Sequence, residues 1–132
     1  MEEVDLLLKD IEDFSEYNDM SEIMKESEEI INSLKNDGVD LSKEYDVSHI
    51  LCATDFDYLD KCAVAIDQCF SGAIFSDVTE FMEDEKSKAF EMSVEIPSIV
   101  DLNTVEENIK KIVECCNKYN VAYDGWGVNI EE

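Results

Sequence analysis

The chain has 132 residues, 45% of them hydrophobic, a content that supports a folded core and argues against a disordered acidic tail. Its 34 acidic residues face only 10 basic ones, all lysine, for a formal net charge of -24. Such a charge excludes non-specific binding to a phosphate backbone, since like charges repel within a Debye length of about 8 Å. It leaves two meanings for the acidity: solubility alone, or attraction of cationic partners.

The opening segment, MEEVDLLLKDIEDF, is acidic and lacks a basic n-region, so it is not expected to act as a signal peptide. Val4, Leu7, Leu8, Ile11 and Phe14 recur at helical spacing and predict a short amphipathic helix, making residues 1–19 an acidic N-terminal extension. Residues 20–132 read as one domain including its leading helix. No stretch approaches the roughly 20 apolar residues needed to span a bilayer. The five cysteines, Cys52, Cys62, Cys69 and the adjacent Cys115 and Cys116, are expected as reduced thiols in a cytoplasmic protein.

Met20, Ile23, Met24, Ile30, Ile31 and Leu34 mark one face of a second helix, stopped by Asn36–Gly38 with the glycine at C′. EYDVSHILCA (44–53) reads as a buried strand. The next helix is expected to be capped by Thr54, to turn Phe56, Leu59, Ala63, Ile66 and Phe70 inward, and to end at Gly72. Residues 73–82 read as one strand of irregular alternation, followed by a turn at EDEKS. KAFEMSVEIP alternates cleanly: Phe90, Met92, Val94 and Ile96 on one side, Glu91, Ser93 and Glu95 on the other. That alternation predicts a sheet covered on one face only.

Beyond Pro97, Asn103 or Thr104 is expected to cap a helix with Glu106 and Glu107 in its first turn and Val105, Ile109, Ile112, Val113 and Cys116 as its apolar stripe. The last strand contains YDGWG (123–127), with the only tryptophan and two of the four glycines. The order is β-α-β-β-α-β, which predicts an α+β ferredoxin-like sandwich: an antiparallel sheet, both helices on one face, and the last strand at an edge beside the first. One or two N-terminal helices precede it.

Groups for catalysis are sparse. The single histidine, His49, lies mid-strand with no second histidine or arginine to form a relay, and is expected to be structural or surface-exposed. Phosphate-cradling loops and nucleophile elbows are absent. The cysteines lack chelating spacing, and Cys52, Cys62, Cys69 and Cys116 are expected as small core hydrophobes. KNDGVDLSKEYD lacks the spaced ligands of a calcium loop. No catalytic residue, metal site or cofactor is therefore expected. YDGWG has two readings: Trp126 fills the core while the glycines permit a bulge, or the bulge presents Tyr123, Asp124 and Trp126 to a partner.

KNDGVD after a helix, EYDVSHI opening a strand, TDFDYLDKCAVAIDQCF as the next helix, and CNKYNVAYDGWG near the end resemble the regulators of ribonuclease E activity B. The resemblance covers roughly residues 20 to 130 and departs at Ile50, where a second histidine would follow His49. It implies a small acidic bacterial protein of ferredoxin-like fold that binds the arginine-rich, non-catalytic region of ribonuclease E and inhibits RNA cleavage. It also implies a binding protein rather than an enzyme. From the charge and the lack of a spanning segment, no direct nucleic-acid or membrane binding is expected, and the chain is expected to be a monomer. The alternative is an immunity-type or other acidic module for a different basic protein. The candidate protein-binding residues are Tyr123, Asp124, Trp126, His49, Glu91 and Glu95.

Overall fold

A computed structural model of the chain describes residues 18–82 and 88–129. The expected helix over Val4–Phe14 and the turn at EDEKS lie outside these residues. The described residues form an α+β structure of three helices and one antiparallel five-strand sheet. In chain order these are α1 (Met20–Asn36), β1 (Glu44–Ala53), α2 (Phe56–Cys69), β2 (Ile74–Phe75), β3 (Thr79–Met82), β4 (Lys88–Ile99), α3 (Leu102–Lys118) and β5 (Ala122–Asn129).

The sheet runs β2–β4–β1–β5, with β3 also pairing β4. The stretch expected as one strand is two short ones that lie against successive parts of β4: Ile74–Phe75 opposite Glu95–Val94, and Thr79–Met82 opposite Glu91–Lys88. Strand β4 continues through Pro97, which pairs with Asp46, to Ile99. Beyond Glu95 no described strand lies on its outer side, so a residue without an N–H is tolerated there. β5 is an edge strand beside β1, as the sequence order predicts.

Each helix starts on a carboxylate. Asp19, Asp55 and Asp101 accept from the backbone N–H groups of Ser21, Asp57 and Thr104, satisfying donors that a helix N-terminus leaves orphaned. The caps differ from the expected Thr54 and Asn103 or Thr104. Both helices begin a residue or more away from the expected cap, and Glu106 and Glu107 consequently fall beyond the first turn of α3. Asp101 does the capping at 2.7 Å from Thr104 N, and its carboxyl is held below the ordinary value chiefly by that backbone bond. At the other end of α1, Gly38 takes a φ of 80° just past the C-cap Asp37, a conformation that favours glycine.

The core holds strand residues of one parity only. Val47, Leu51, Met92, Val94 and Ile96 pack with Leu59, Cys62 and Ile66 of α2, with Val105, Ile109, Ile112 and Cys116 of α3, and with Ile31 of α1. All three helices therefore cover one sheet face. Among the described residues no helix lies on the opposite face, which carries a small cluster of Cys52, Ala89 and Ala122 beside Ile50 and Phe81. Two expectations for the helices are corrected. Phe56 is 49% exposed, edge-on to Phe90, because the inward stripe of α2 runs Leu59–Cys62–Ile66 and Phe56 lies to one side of it. Cys69 is exposed and Cys115 buried.

If Asp101 rather than Asn103 caps α3, Asp101→Ala lowers unfolding free energy by about 1 kcal/mol while Asn103→Ala leaves it nearly unchanged. Urea denaturation of the two variants measures this.

Candidate functional site

The segment YDGWG answers to the local demands of an edge strand. Leu51 pairs with Tyr123 and Ile50 with Gly125, so Asp124 is the extra residue where the register shifts. This is a β-bulge, and Gly125 closes it with a φ of 122°, a backbone conformation that side chains disfavour. After the bulge, Trp126 pairs with His49 and Val128 with Val47, pointing toward the helices. Gly125 and Gly127 pair with Ile50 and Ser48 on the uncovered face.

Two polar contacts then tie α1 to this strand. The Asn18 side chain, buried just ahead of α1, donates to Val121 O at 2.8 Å and to Asn117 Oδ1 at 3.0 Å, and accepts from Tyr123 N at 2.7 Å. Trp126 Nε1 donates to Ser27 Oγ at 2.8 Å, and that hydroxyl donates to Ile23 O at 2.7 Å. Asn18 meets Tyr123, and Ser27 meets Trp126. The helix therefore runs alongside β5 in the same direction. Trp126 is half-buried against the core; it is the ring that docks α1, and the bulge sets its direction.

Between α1 and β5 lies a cleft of about 770 Å³ lined by Asp19, Glu22, Ile23, Glu26 and Ile30 of the helix side and by Tyr123–Gly127, Ser48 and Ile50 of the sheet. Ser48 and Ile50 point to the uncovered face, and they reach the cleft because Gly125 and Gly127 have no side chains to cover them. The charged side chains among these lining residues are all carboxylates: Asp19, Glu22, Glu26 and Asp124. Asp19 is engaged by Ser21 N at 2.9 Å; Glu22 and Glu26 are exposed, one helical turn apart.

The uncovered face adds further carboxylates. Glu91 and Glu95 lie opposite Cys52 and Ser48, on the same side as Asp46 and Glu44. Glu91 is exposed and Glu95 half-exposed. Among the sequence-derived candidates, Asp124 and Trp126 thus meet at the cleft, while Glu91 and Glu95 share the adjoining face. His49 and Tyr123 are interior, at 1% and 4% exposure; Tyr123 forms part of the cleft wall, and His49 stands behind it. Sequence reasoning missed Asn18, Glu22, Glu26 and Ser27. A serine in the apolar row Ile23–Ser27–Ile31 was the available signal, since a polar group there needs a buried partner.

His49 Nδ1 and Tyr123 Oη are 2.8 Å apart, whereas the buried Nε2 has no hydrogen-bond partner. Burial lowers the imidazole from 6.5 to about 4 and raises the Tyr123 phenol well above its ordinary value. Both groups are neutral at pH 7, and the pair offers neither a poised base nor a charged relay. Among the described residues no group of histidine, cysteine and carboxylate side chains is arranged to hold a metal ion. Cys62 and Cys116 sulfurs lie 4.0 Å apart in the interior. Burial is the main cause raising the Cys115 thiol to about 11 and the Cys116 thiol well above its ordinary value, which makes both poor nucleophiles.

The family model described as Regulator of ribonuclease activity B matches residues 24–128. Curated relatives carry the same description. A protein of Aeromonas salmonicida is 35% identical over 114 residues, covering 86% of this chain and 97% of the relative. One of Haemophilus influenzae is 33% identical over 115 residues, covering 86% and 72%. One of Psychromonas ingrahamii is 32% identical over 114 residues, covering 86% and 92%. The matched span runs from within α1 to the end of YDGWG and beyond, and so includes Glu26, Ser27 and the whole of the β5 side of the cleft.

Two outcomes are expected. In a double-mutant cycle, Ser27→Ala and Trp126→Phe each destabilise by about 1 kcal/mol, and together by less than their sum, because both remove the same bond. As pH falls, the unfolded imidazole takes up its proton near 6.5 and the folded one only near 4. The stability that neutral His49 contributes is therefore complete above about pH 6.5 and lost progressively toward pH 4, by about 3 kcal/mol. His49→Gln removes that component of the pH profile, as measured by denaturation across the range.

Proposed function

Because the chain belongs to the regulator of ribonuclease activity B family, we propose that it is a non-catalytic regulator that binds ribonuclease E through a basic, arginine-rich region outside the catalytic centre and inhibits its cleavage of RNA. The observation that carries this reading is the cleft between α1 and β5, whose charged lining side chains are carboxylates without a lysine among them. A net charge of -24 steers a cationic protein segment toward such a surface and repels RNA from it. Occupying a basic RNA-binding segment is itself a route to inhibition, since the same arginines then no longer face phosphate.

The interior supports a binding role over chemistry. His49 is neutral and enclosed, Cys62 is buried, and Cys115 and Cys116 are buried and hard to ionise. No helix among the described residues is long and apolar enough to cross a membrane, in keeping with a cytoplasmic protein. The strand order β2–β4–β1–β5, with β2 and β3 acting as one interrupted edge strand and the helices on one face, is read as a ferredoxin-like sandwich. In this reading residues 20–132 are a single monomeric domain, and Asp124, Trp126, Glu91 and Glu95 are the partner-facing members of the candidate set, with His49 and Tyr123 holding them in place.

Isothermal calorimetry with an arginine-rich fragment of ribonuclease E tests the reading, alongside a cleavage assay on a structured RNA. Binding is expected to weaken by about tenfold or more as salt rises from about 50 to about 300 mM, and cleavage is expected to slow as the protein is added. Absence of binding at the lower salt, with cleavage unaffected, would overturn it.

A further inference from the structure

The outer side of β5 is a sheet edge. It ends the strand order β2–β4–β1–β5, and no described strand pairs with it. At its start the Asn18 side chain takes up Val121 O, just ahead of the strand, and Tyr123 N within it. An edge of this kind presents main-chain donors and acceptors that a further strand can satisfy. The cleft lies along this edge, bounded on the far side by α1, so whatever takes up the edge is also held against the helix.

The geometry points to an extended peptide segment of a basic protein, with arginine or lysine at alternate positions, docked in the cleft as an added strand on β5. This deepens the regulator reading and rests on the chain being a partner of a basic protein. Charge complementarity selects the occupant: the charged groups lining the cleft are Asp19, Glu22, Glu26 and Asp124. Glu22 and Glu26 are four residues apart on a helix that runs alongside β5, a rise of about 6 Å. Side chains two residues apart on a strand repeat at about 6.6 Å on the same side. Alternate cations of an extended guest therefore match successive carboxylates of α1, whereas consecutive cations point to opposite faces and cannot both reach them.

The other parity has its own surroundings. On β5, Trp126 points toward the helices while Gly125 and Gly127 lie on the uncovered face. A methyl group built on either glycine meets nothing within 4 Å. Guest side chains that fall beside the glycines pass over bare backbone to Ile50 and Ser48, where small or apolar residues fit. The recognition pattern is thus basic–apolar–basic–apolar over about five residues, the length of the cleft along Tyr123–Gly127 at about 3.3 Å per residue.

The experiment uses the full chain and end-capped synthetic hexapeptides, read by fluorescence anisotropy at low salt. One alternates arginine with valine; a second has the same composition in two blocks. Two further copies of the alternating peptide carry N-methyl groups on all arginine or on all valine amides. The alternating peptide is expected to bind at least tenfold more tightly than the blocked one. N-methylation is expected to abolish binding for one parity and spare the other, because an added strand turns only alternate N–H groups toward its neighbour. Glu22→Gln with Glu26→Gln, both exposed, is expected to weaken the alternating peptide at least tenfold; Glu106→Gln with Glu107→Gln, exposed on α3 and outside the cleft lining, leaves it within twofold. Equal binding of all four peptides, or an equal loss through Glu106 and Glu107, overturns the inference and leaves the regulator reading intact, as does binding of the ribonuclease fragment without any of the hexapeptides. Failure of the fragment and the peptides alike overturns both.

Discussion

The cleft depends on how α1 is held. This helix is not part of the β-α-β-β-α-β order; it reaches the sheet through Trp126 Nε1 on Ser27 Oγ and through the Asn18 amide on β5 and α3. Each contact places a polar group out of water and gives it a partner there, so neither can be broken cheaply: an unmade buried bond costs more than a made one contributes. The two contacts are separated along the helix, and together they fix its direction as well as its distance. Were the tryptophan displaced, α1 would lose the register that sets Glu22 and Glu26 along the edge of β5.

The bulge makes that contact possible. In a regular ladder, consecutive residues of β5 would keep strict alternation against β1, and both Tyr123 and Trp126 could not face the helices, being three residues apart. The extra residue, Asp124, restores both to the same side. Tyr123 then reaches His49 Nδ1 while Trp126 reaches Ser27. The same step sets Gly125 and Gly127 on the opposite side, which strips that side of the strand down to its backbone. One irregularity thus supplies an aromatic anchor on one face and a bare strip on the other.

Much of this architecture was legible in the sequence. The alternation of Phe90 to Ile96 gives the covered and uncovered faces, and the apolar stripe of Val105, Ile109, Ile112, Val113 and Cys116 is buried as expected. A bulge at YDGWG on an edge strand also follows from local chemistry, since glycines and an aspartate interrupt an otherwise good strand. The helix starts were displaced because several neighbouring residues, Thr54 and Asp55 or Asp101, Asn103 and Thr104, can all cap, and the choice depends on the direction in which the chain leaves the strand. Phe56 and Cys69 were misplaced for a related reason: a helix stripe has fuzzy borders, and tertiary neighbours decide which flank is enclosed. The cleft itself was not legible. It joins Glu22 and Glu26 to residues some hundred positions later, through Asn18 and Ser27, whose partners no local pattern names.

The distribution of charge bears on what such a cleft can accept. The chain has few cations to offer its carboxylates. The ion pair between Lys88 and Glu80 at 3.3 Å is exposed at both ends and far from the cleft in the sheet order, where water and salt reduce its worth. Of the two lysines on α1, Lys35 lies in the last turn, away from the cleft, and Lys25, exposed between Glu22 and Glu26 in the chain, is not among the residues that line it. In the proposed mode a cationic strand arriving from another protein meets the lining carboxylates and completes the edge of the sheet in one step. That coupling needs no conformational change and no reactive group; it needs only that the helix, the bulge and the carboxylates keep their relative positions.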